Sequence, residues 1–252
     1  MIGTWQTIPH PMVTAVLATQ LDFVVLDMEH GSFSLEEIRN CINAKGQNDC
    51  AVMVRAPSLD QIMIQRIDEL GPDAIMIPGI CGENQFISAY LSTDISYKKG
   101  VSPYTPLNVY GDFDPTLTNP TPAYPMIEHV DMVGKMKYIV DKIMKTGYTF
   151  NLSICYIGAY DLSKSMGITG QIYSSALQSK MEELAKELRN FNIKPGCLVK
   201  SVNDIHMYLD IGYEVFAFEA DCKVLMDRYE QISEDHEDLL YRSFIDDQHS
   251  HS

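Results

Sequence analysis

The sequence predicts one (β/α)8 TIM barrel with an extra C-terminal helix. Short apolar runs alternate with helix-period segments eight times along the chain. The 252 residues suit this architecture, because such barrels commonly reach that size without dividing into domains. No GxGxxG follows the first strand, which weakens the main rival, a doubly wound open sheet.

The first strand is expected near residues 3–7, followed by a helix over 11–20. Phe23-Val24-Val25-Leu26 reads as a buried strand ending at Asp27. A helix over 34–45 follows, with Ser34 as its N-cap and Glu37 completing a capping box. The third strand spans 51–54, and its helix, 60–70, is stopped by Gly71-Pro72. The fourth strand spans 74–77 and its helix 84–93. Residues 94–122 break the pattern, being rich in Pro, Thr, Tyr, Asn and Asp; a loop this long is usually functional or mobile. The alternation resumes with strands at 124–127, 152–157, 194–199 and 215–218 and helices at 132–145, 173–191, 202–211 and 223–231. A last helix over 234–245 ends the barrel domain, residues 1–245. Residues 246–252 are expected to form a disordered polar tail, and His249 and His251 there are too sparse for a metal site.

Apolar residues make up 46% and charged residues 21% of the chain, enough for a sizeable core. The net charge of −15 argues against nucleic acid and against an anionic membrane surface. It leaves room for a small anionic substrate, since a bound metal and one arginine reverse the local field. No stretch approaches the length of a membrane span, and MIGTWQTIPHP lacks the pattern of a signal peptide. Cys41, Cys50, Cys81, Cys155, Cys197 and Cys222 are scattered without a CxxC pair, so reduced thiols in a cytoplasmic protein are expected.

Catalytic groups of such a barrel sit where the strands end. Strand two ends in Asp27-Met28-Glu29-His30-Gly31, strand three in Arg55, strand five in Glu128-His129 and strand six in Gly158-Ala159-Tyr160-Asp161. Glu219 and Asp221 follow strand eight. Glu128 and Asp161, from neighbouring strands, can hold one hard dication, and oxygen ligands alone favour Mg2+, Mn2+ or Co2+. Two protein ligands leave positions for water and substrate, as Lewis-acid catalysis requires. Each carboxylate can equally be a capping or salt-bridged residue. His30 sits beside Asp27 and Glu29, which favour its charged form, so it suits a general base or a structural histidine. Arg55 either pairs with an acid from another strand or grips a substrate anion with its planar fork.

The segments Leu26-Asp27-Met28-Glu29-His30-Gly31, Val52-Met53-Val54-Arg55 and Gly158-Ala159-Tyr160-Asp161-Leu162-Ser163 occur in this order. Ile2-Gly3-Thr4-Trp5, Ile75-Met76-Ile77-Pro78 and Lys194-Pro195-Gly196 extend the match over nearly the whole chain. Together they resemble the HpcH/HpaI family of metal-dependent pyruvate aldolases. The resemblance implies a lyase joining or splitting a pyruvate-type enolate and an aldehyde, with 4-hydroxy-2-oxo acids as substrates. Glu128 and Asp161 would hold the metal, Arg55 would bind the pyruvyl oxygen, and His30 would be the acid/base for the aldol hydroxyl. An acid from a neighbouring subunit, at the position of Glu69, would assist His30. Backbone amides near Tyr160 and Asp161 would bind the substrate carboxylate, and Asp27 would line the same mouth. Relatives form hexamers built as trimers of dimers, so a homo-oligomer is implied.

The chain departs from the family pattern at Met126, where relatives carry Gln, and at Ala159, where they carry Pro. It also departs at Gly100-Val101-Ser102-Pro103, where they carry a site-contributing G-x-R-G. The connection near residues 145–151 is longer than usual. These changes point to a retained enolate core with altered walls. Losing the loop arginine argues against the usual acidic or phosphorylated acceptors. Lys200 is the one strand-end lysine that could serve a Schiff-base alternative. Two other readings stand beside this one. A citramalyl-type lyase of acyl thioesters would want basic residues such as Lys98-Lys99, and a degenerate barrel would serve only binding or assembly.

Overall fold

Parallel strands in a closed barrel are buried on both faces, so their sequences read as continuous apolar runs. β2 (Phe23–Asp27), β5 (Ala123–Ile127) and β6 (Ile154–Ile157) are buried at every position. With β1 (Ile2–Gln6), β3 (Ala51–Arg55), β4 (Ala74–Ile80), β7 (Lys194–Val199) and β8 (Val215–Ala220), they close a barrel in chain order. All neighbours are parallel, and β8 returns to β1. The structure, a computed structural model, describes residues 1–94, 100, 102–111 and 120–250. It has the expected (β/α)8 architecture.

The helices are α1 (Pro11–Leu17), α2 (Leu35–Ala44), α3 (Gln61–Asp68), α4 (Glu83–Tyr90), α5 (Met136–Lys145), α6 (Ala159–Ser165), α7 (Ser175–Arg189), α8 (Val202–Asp210) and α9 (Asp221–Ser250). The outer layer is built from apolar stripes at helical spacing. α5 buries Met136, Ile139, Val140 and Ile143, and α7 buries Leu177, Met181, Leu184, Ala185 and Leu188. Each of the Leu, Ile, Val and Met side chains among them contributes about 1.5–3 kcal/mol by leaving water. α2 carries the expected capping box: Ser34 N–H donates to Glu37 Oε2 at 2.7 Å, and Glu37 N–H donates to Ser34 Oγ at 3.3 Å.

Several elements differ from expectation. The helix expected over 132–145 begins at Met136, because Gly134, at φ 81°, separates it from a 3-10 turn at Val130–Met132. α6 is a short helix that the sequence pattern does not announce. The helices expected at 223–231 and 234–245 are one continuous α9, since no Gly or Pro interrupts residues 221–250. α9 extends through residues 246–250, expected as tail, and residues 251–252 lie outside the described part.

Much of the atypical 94–122 stretch also lies outside the described residues. Its described part packs near the end of α3: Leu107 N–H donates to the Glu69 carbonyl at 3.2 Å, and Gly100 N–H donates to Gln65 Oε1 at 3.3 Å. All six cysteines are free thiols. Among the described residues, no helix is long and apolar enough to cross a membrane.

Candidate active site

The strand register decides how Arg55 is used. Asp27 and Arg55 are the last residues of β2 and β3 and stand as partners across the two strands. The guanidinium grips Asp27 with two bonds, Nε to Oδ1 at 2.8 Å and Nη2 to Oδ2 at 2.5 Å. Its Nη1 meets Glu29 Oε2 at 3.0 Å, and its plane lies over the Trp5 ring, 4.5 Å from the centroid. Burial alone would lower the Arg55 pKa, but the Asp27 hydrogen bonds and the charges of Asp27 and Glu29 outweigh it and raise it. The fork is therefore permanently charged and rigidly aimed. Of the two readings of Arg55 left open by sequence, pairing with an acid from another strand is realised. The guanidinium carries more N–H groups than these carboxylates engage.

Glu128 follows β5 and is buried, at 8% exposure. Its carboxylate accepts the Gly79 N–H, which faces it because Gly79 adopts φ 74° in a break of the β4–β5 register. Burial pushes its pKa up to about 7; the Gly79 N–H and Arg55 oppose the rise, and the charges of Glu29 and Asp161 add to it. Glu29 is raised as well, again chiefly by burial, with Arg55 pulling the other way. Gly158, at the end of β6, is required by close approach. A Cβ there would stand 2.8 Å from Glu128 Cγ and 3.1 Å from Oε1. Gly158→Ala is expected to displace the Glu128 side chain and cost about 1–3 kcal/mol of stability, read as a lower Tm; an unchanged Tm would show the space to be available.

These groups share one cavity of about 380 Å³ at the C-terminal end of the barrel. It is lined by Asp27, His30, Arg55, Glu128, Tyr160, Asp161 and Glu219 above a floor that includes Trp5, Met126 and Tyr156. His30 stands at the rim, its side chain 68% exposed and its Nε2 3.9 Å from Glu29 Oε2. Tyr160 and Asp161 occupy the first turn of α6, which Gly158 caps without a side chain. The Lys200 ammonium lies 5.3 Å from the Tyr160 ring and is raised chiefly by its hydrogen bond to Tyr160. A larger cavity, about 550 Å³, opens at the opposite end beside Tyr90, Tyr124 and Tyr148, but it gathers none of the strand-end charges.

Two residues singled out in the sequence lie away from this chain's own mouth. Glu69 caps the C-terminal end of α3, where the chain turns back to begin β4, so it lies at the far end of its own barrel. There its carboxylate accepts from Gln65 Nε2 at 3.1 Å. Ser102, which stands where relatives carry the site-contributing arginine, belongs to the segment packed beside that same end of α3, and Lys98 and Lys99 lie outside the described residues. Conversely, sequence reasoning assigned no site role to Glu29, Trp5, Gly79, Gly158 or Tyr156. The Asp27-Met28-Glu29 spacing was the available signal for Glu29. For the glycines there was none, because their roles depend on contacts across strands.

Comparison with known proteins agrees with the fold and shows the family. The family model for HpcH/HpaI aldolase/citrate lyase matches residues 5–227. A 5-keto-4-deoxy-D-glucarate aldolase of Citrobacter koseri is 21% identical over 236 residues, covering 92% of this chain and 90% of that protein. A HpcH/HpaI aldolase/citrate lyase family protein from Burkholderia cenocepacia superposes with a TM-score of 0.80 at 18% identity, covering 94% of each chain. The citrate synthase SbnG superposes with a TM-score of 0.74 at 22% identity, covering 94% of this chain and 93% of that one. The chain therefore belongs to the HpcH/HpaI aldolase/citrate lyase family and is a carbon–carbon lyase.

Proposed function

We propose that this enzyme joins or splits a pyruvate-type enolate and an aldehyde, acting on 4-hydroxy-2-oxo acids with a divalent cation, Mg2+, Mn2+ or Co2+, held by Glu128 and Asp161. The observation that carries this reading is the excess of negative charge gathered in one mouth, with Glu128 buried and Asp161 exposed beside it. Asp27, Glu128, Asp161 and Glu219 line it, while Arg55 is already engaged by Asp27 and Glu29. A carboxylate raised to about 7 by burial and like charges is one that a cation would stabilise. Among the described residues no cluster of three or more His, Cys, Asp or Glu forms a complete metal cage. Two carboxylates facing an open cavity fit a cation whose other positions go to water and substrate. Bound there, the cation would act as a Lewis acid on the 2-oxo group.

The chain's own groups supply the rest. His30 takes the proton of the 4-hydroxyl as the C3–C4 bond breaks, leaving an aldehyde and the enolate of pyruvate. Arg55, fixed by Asp27 and Glu29, aims its remaining N–H groups at the enolate oxygen, and the first-turn amides at Tyr160 and Asp161 receive the carboxylate. No lysine is needed as a Schiff base. Lys200 is exposed and turned onto Tyr160. The acyl-thioester alternative gains no support from the described residues at the mouth.

We also infer a cytoplasmic homo-oligomer, a hexamer built as a trimer of dimers. Met12 and Val16 on α1 and Val224 and Leu225 on α9 leave an apolar groove of about 500 Å³ uncovered. Glu69, remote from its own mouth, would reach a site only in a neighbouring copy.

The test is pyruvate release from a panel of 4-hydroxy-2-oxo acids with and without added Mn2+. Metal-dependent release is expected, and its absence with every substrate would refute the reading. His30→Ala is expected to lower cleavage by about 10²–10⁴-fold with Mn2+ affinity unchanged. Equal cleavage by the variant would remove His30 from the reaction.

A further inference from the structure

We propose that the Tyr156 hydroxyl donates a hydrogen bond to an oxygen of the 2-oxo acid bound at the cavity floor. The inference rests on the 2-oxo acid reading above and adds a substrate-contacting residue to it. Tyr156 lies on β6 at 3% exposure, and its ring packs edge-on against Trp5 with centroids 5.4 Å apart. Its Oη is fully buried, and among the described residues its O–H finds no acceptor; the Trp5 indole N–H beside it can only donate to the phenol oxygen. A buried polar atom left unpaired is costly, and phenylalanine would fill the same space without that cost.

The surroundings explain why nothing among the described residues takes the proton. Met126, the β5 partner of Tyr156, and Leu198 line the same floor and are apolar. The Trp5 indole N–H only donates, so it cannot accept from the phenol. Burial holds the Tyr156 pKa well above its ordinary value, which keeps the group a donor. A ligand oxygen entering the cavity would supply the missing acceptor. Tyr156 and Arg55 both pack on the Trp5 ring and both line the cavity that holds Glu128 and Asp161, whereas His30 is largely exposed at the rim. The anionic oxygens of a 2-oxo acid are acceptors of the kind the hydroxyl lacks. A trapped water is the competing occupant.

Tyr156→Phe decides between them. In the presence of Mn2+, pyruvate and oxalate affinities are measured by calorimetry and Tm by thermal unfolding. The proposal expects the variant to bind both anions about tenfold or more weakly, with an equal or higher Tm. Unchanged affinity, at any Tm, would overturn it and assign the hydroxyl to water or to an internal partner. Tyr156→Met, which also removes the hydroxyl, is expected to weaken binding alike and serves if the first variant does not fold. Methyl-proton exchange of pyruvate separates this inference from the reading it rests on. A wild-type enzyme that binds pyruvate without exchanging it would refute enolisation, while Tyr156 is still judged by affinity. A wild-type enzyme that binds neither anion would overturn both.

Discussion

Glu128→Gln is expected to abolish Mn2+ binding and to lower turnover by about a thousandfold or more, the scale of losing a Lewis acid worth several kcal/mol. Glutamine keeps the shape and can still accept the Gly79 N–H, so the fold should survive. The pH dependence sharpens the prediction. Between the ordinary value of 4.5 and about 7, the folded metal-free enzyme holds a proton on Glu128 that the unfolded chain has released. This contribution to stability is full below about 4.5 and is lost as pH rises through about 7. Metal must displace that proton, so wild-type affinity should rise with pH through the same window. The variant lacks the group, so its metal-free form at pH 8 should be at least as stable as the wild type. Calorimetric Mn2+ titration beside thermal unfolding checks both. A scaffold without catalytic use of Glu128 would show changed stability and unchanged turnover.

Arg55→Lys should be the next most damaging change. The guanidinium makes two bonds to Asp27, one contact to Glu29 and a stacking contact with Trp5, all from one rigid plane. An ammonium can satisfy only part of this set, leaving the Asp27 carboxylate, 3% exposed, partly unpaired. Losing charge-assisted bonds to a buried acid costs about 2–4 kcal/mol of stability. Enolisation should fall by about a hundredfold or more, because a point charge cannot both hold Asp27 and meet the substrate. Wild-type Tm and wild-type pyruvate exchange in this variant would contradict the assignment.

The barrel was legible because its signal is repetitive: eight buried runs, each followed by a helical stripe, tolerate errors at individual boundaries. β7 lies at the expected residues, whereas α9 does not divide, since a polar segment without Gly or Pro carries no stop signal. The mouth was legible in outline because strand ends share one face, so Asp27, Arg55, Glu128 and Asp161 could be grouped before any coordinates. What each group touches was not legible. The Asp27–Arg55 fork depends on the β2–β3 register, and the room for Glu128 depends on the absent side chain of Gly158. Tyr156 escaped notice because a strand buried on both faces has no alternation to show which side chains point into the lumen. Glu69 and Ser102 were placed by resemblance, and their position at the far end follows from where α3 stops.

The most direct test of the central claim is exchange of the pyruvate methyl protons with solvent deuterium, which needs no knowledge of the aldehyde. The account predicts exchange by the wild type that depends on added Mn2+ or Mg2+ and disappears in Glu128→Gln. Exchange that persists in the variant, or that fails to appear in the metal-loaded wild type, would contradict it.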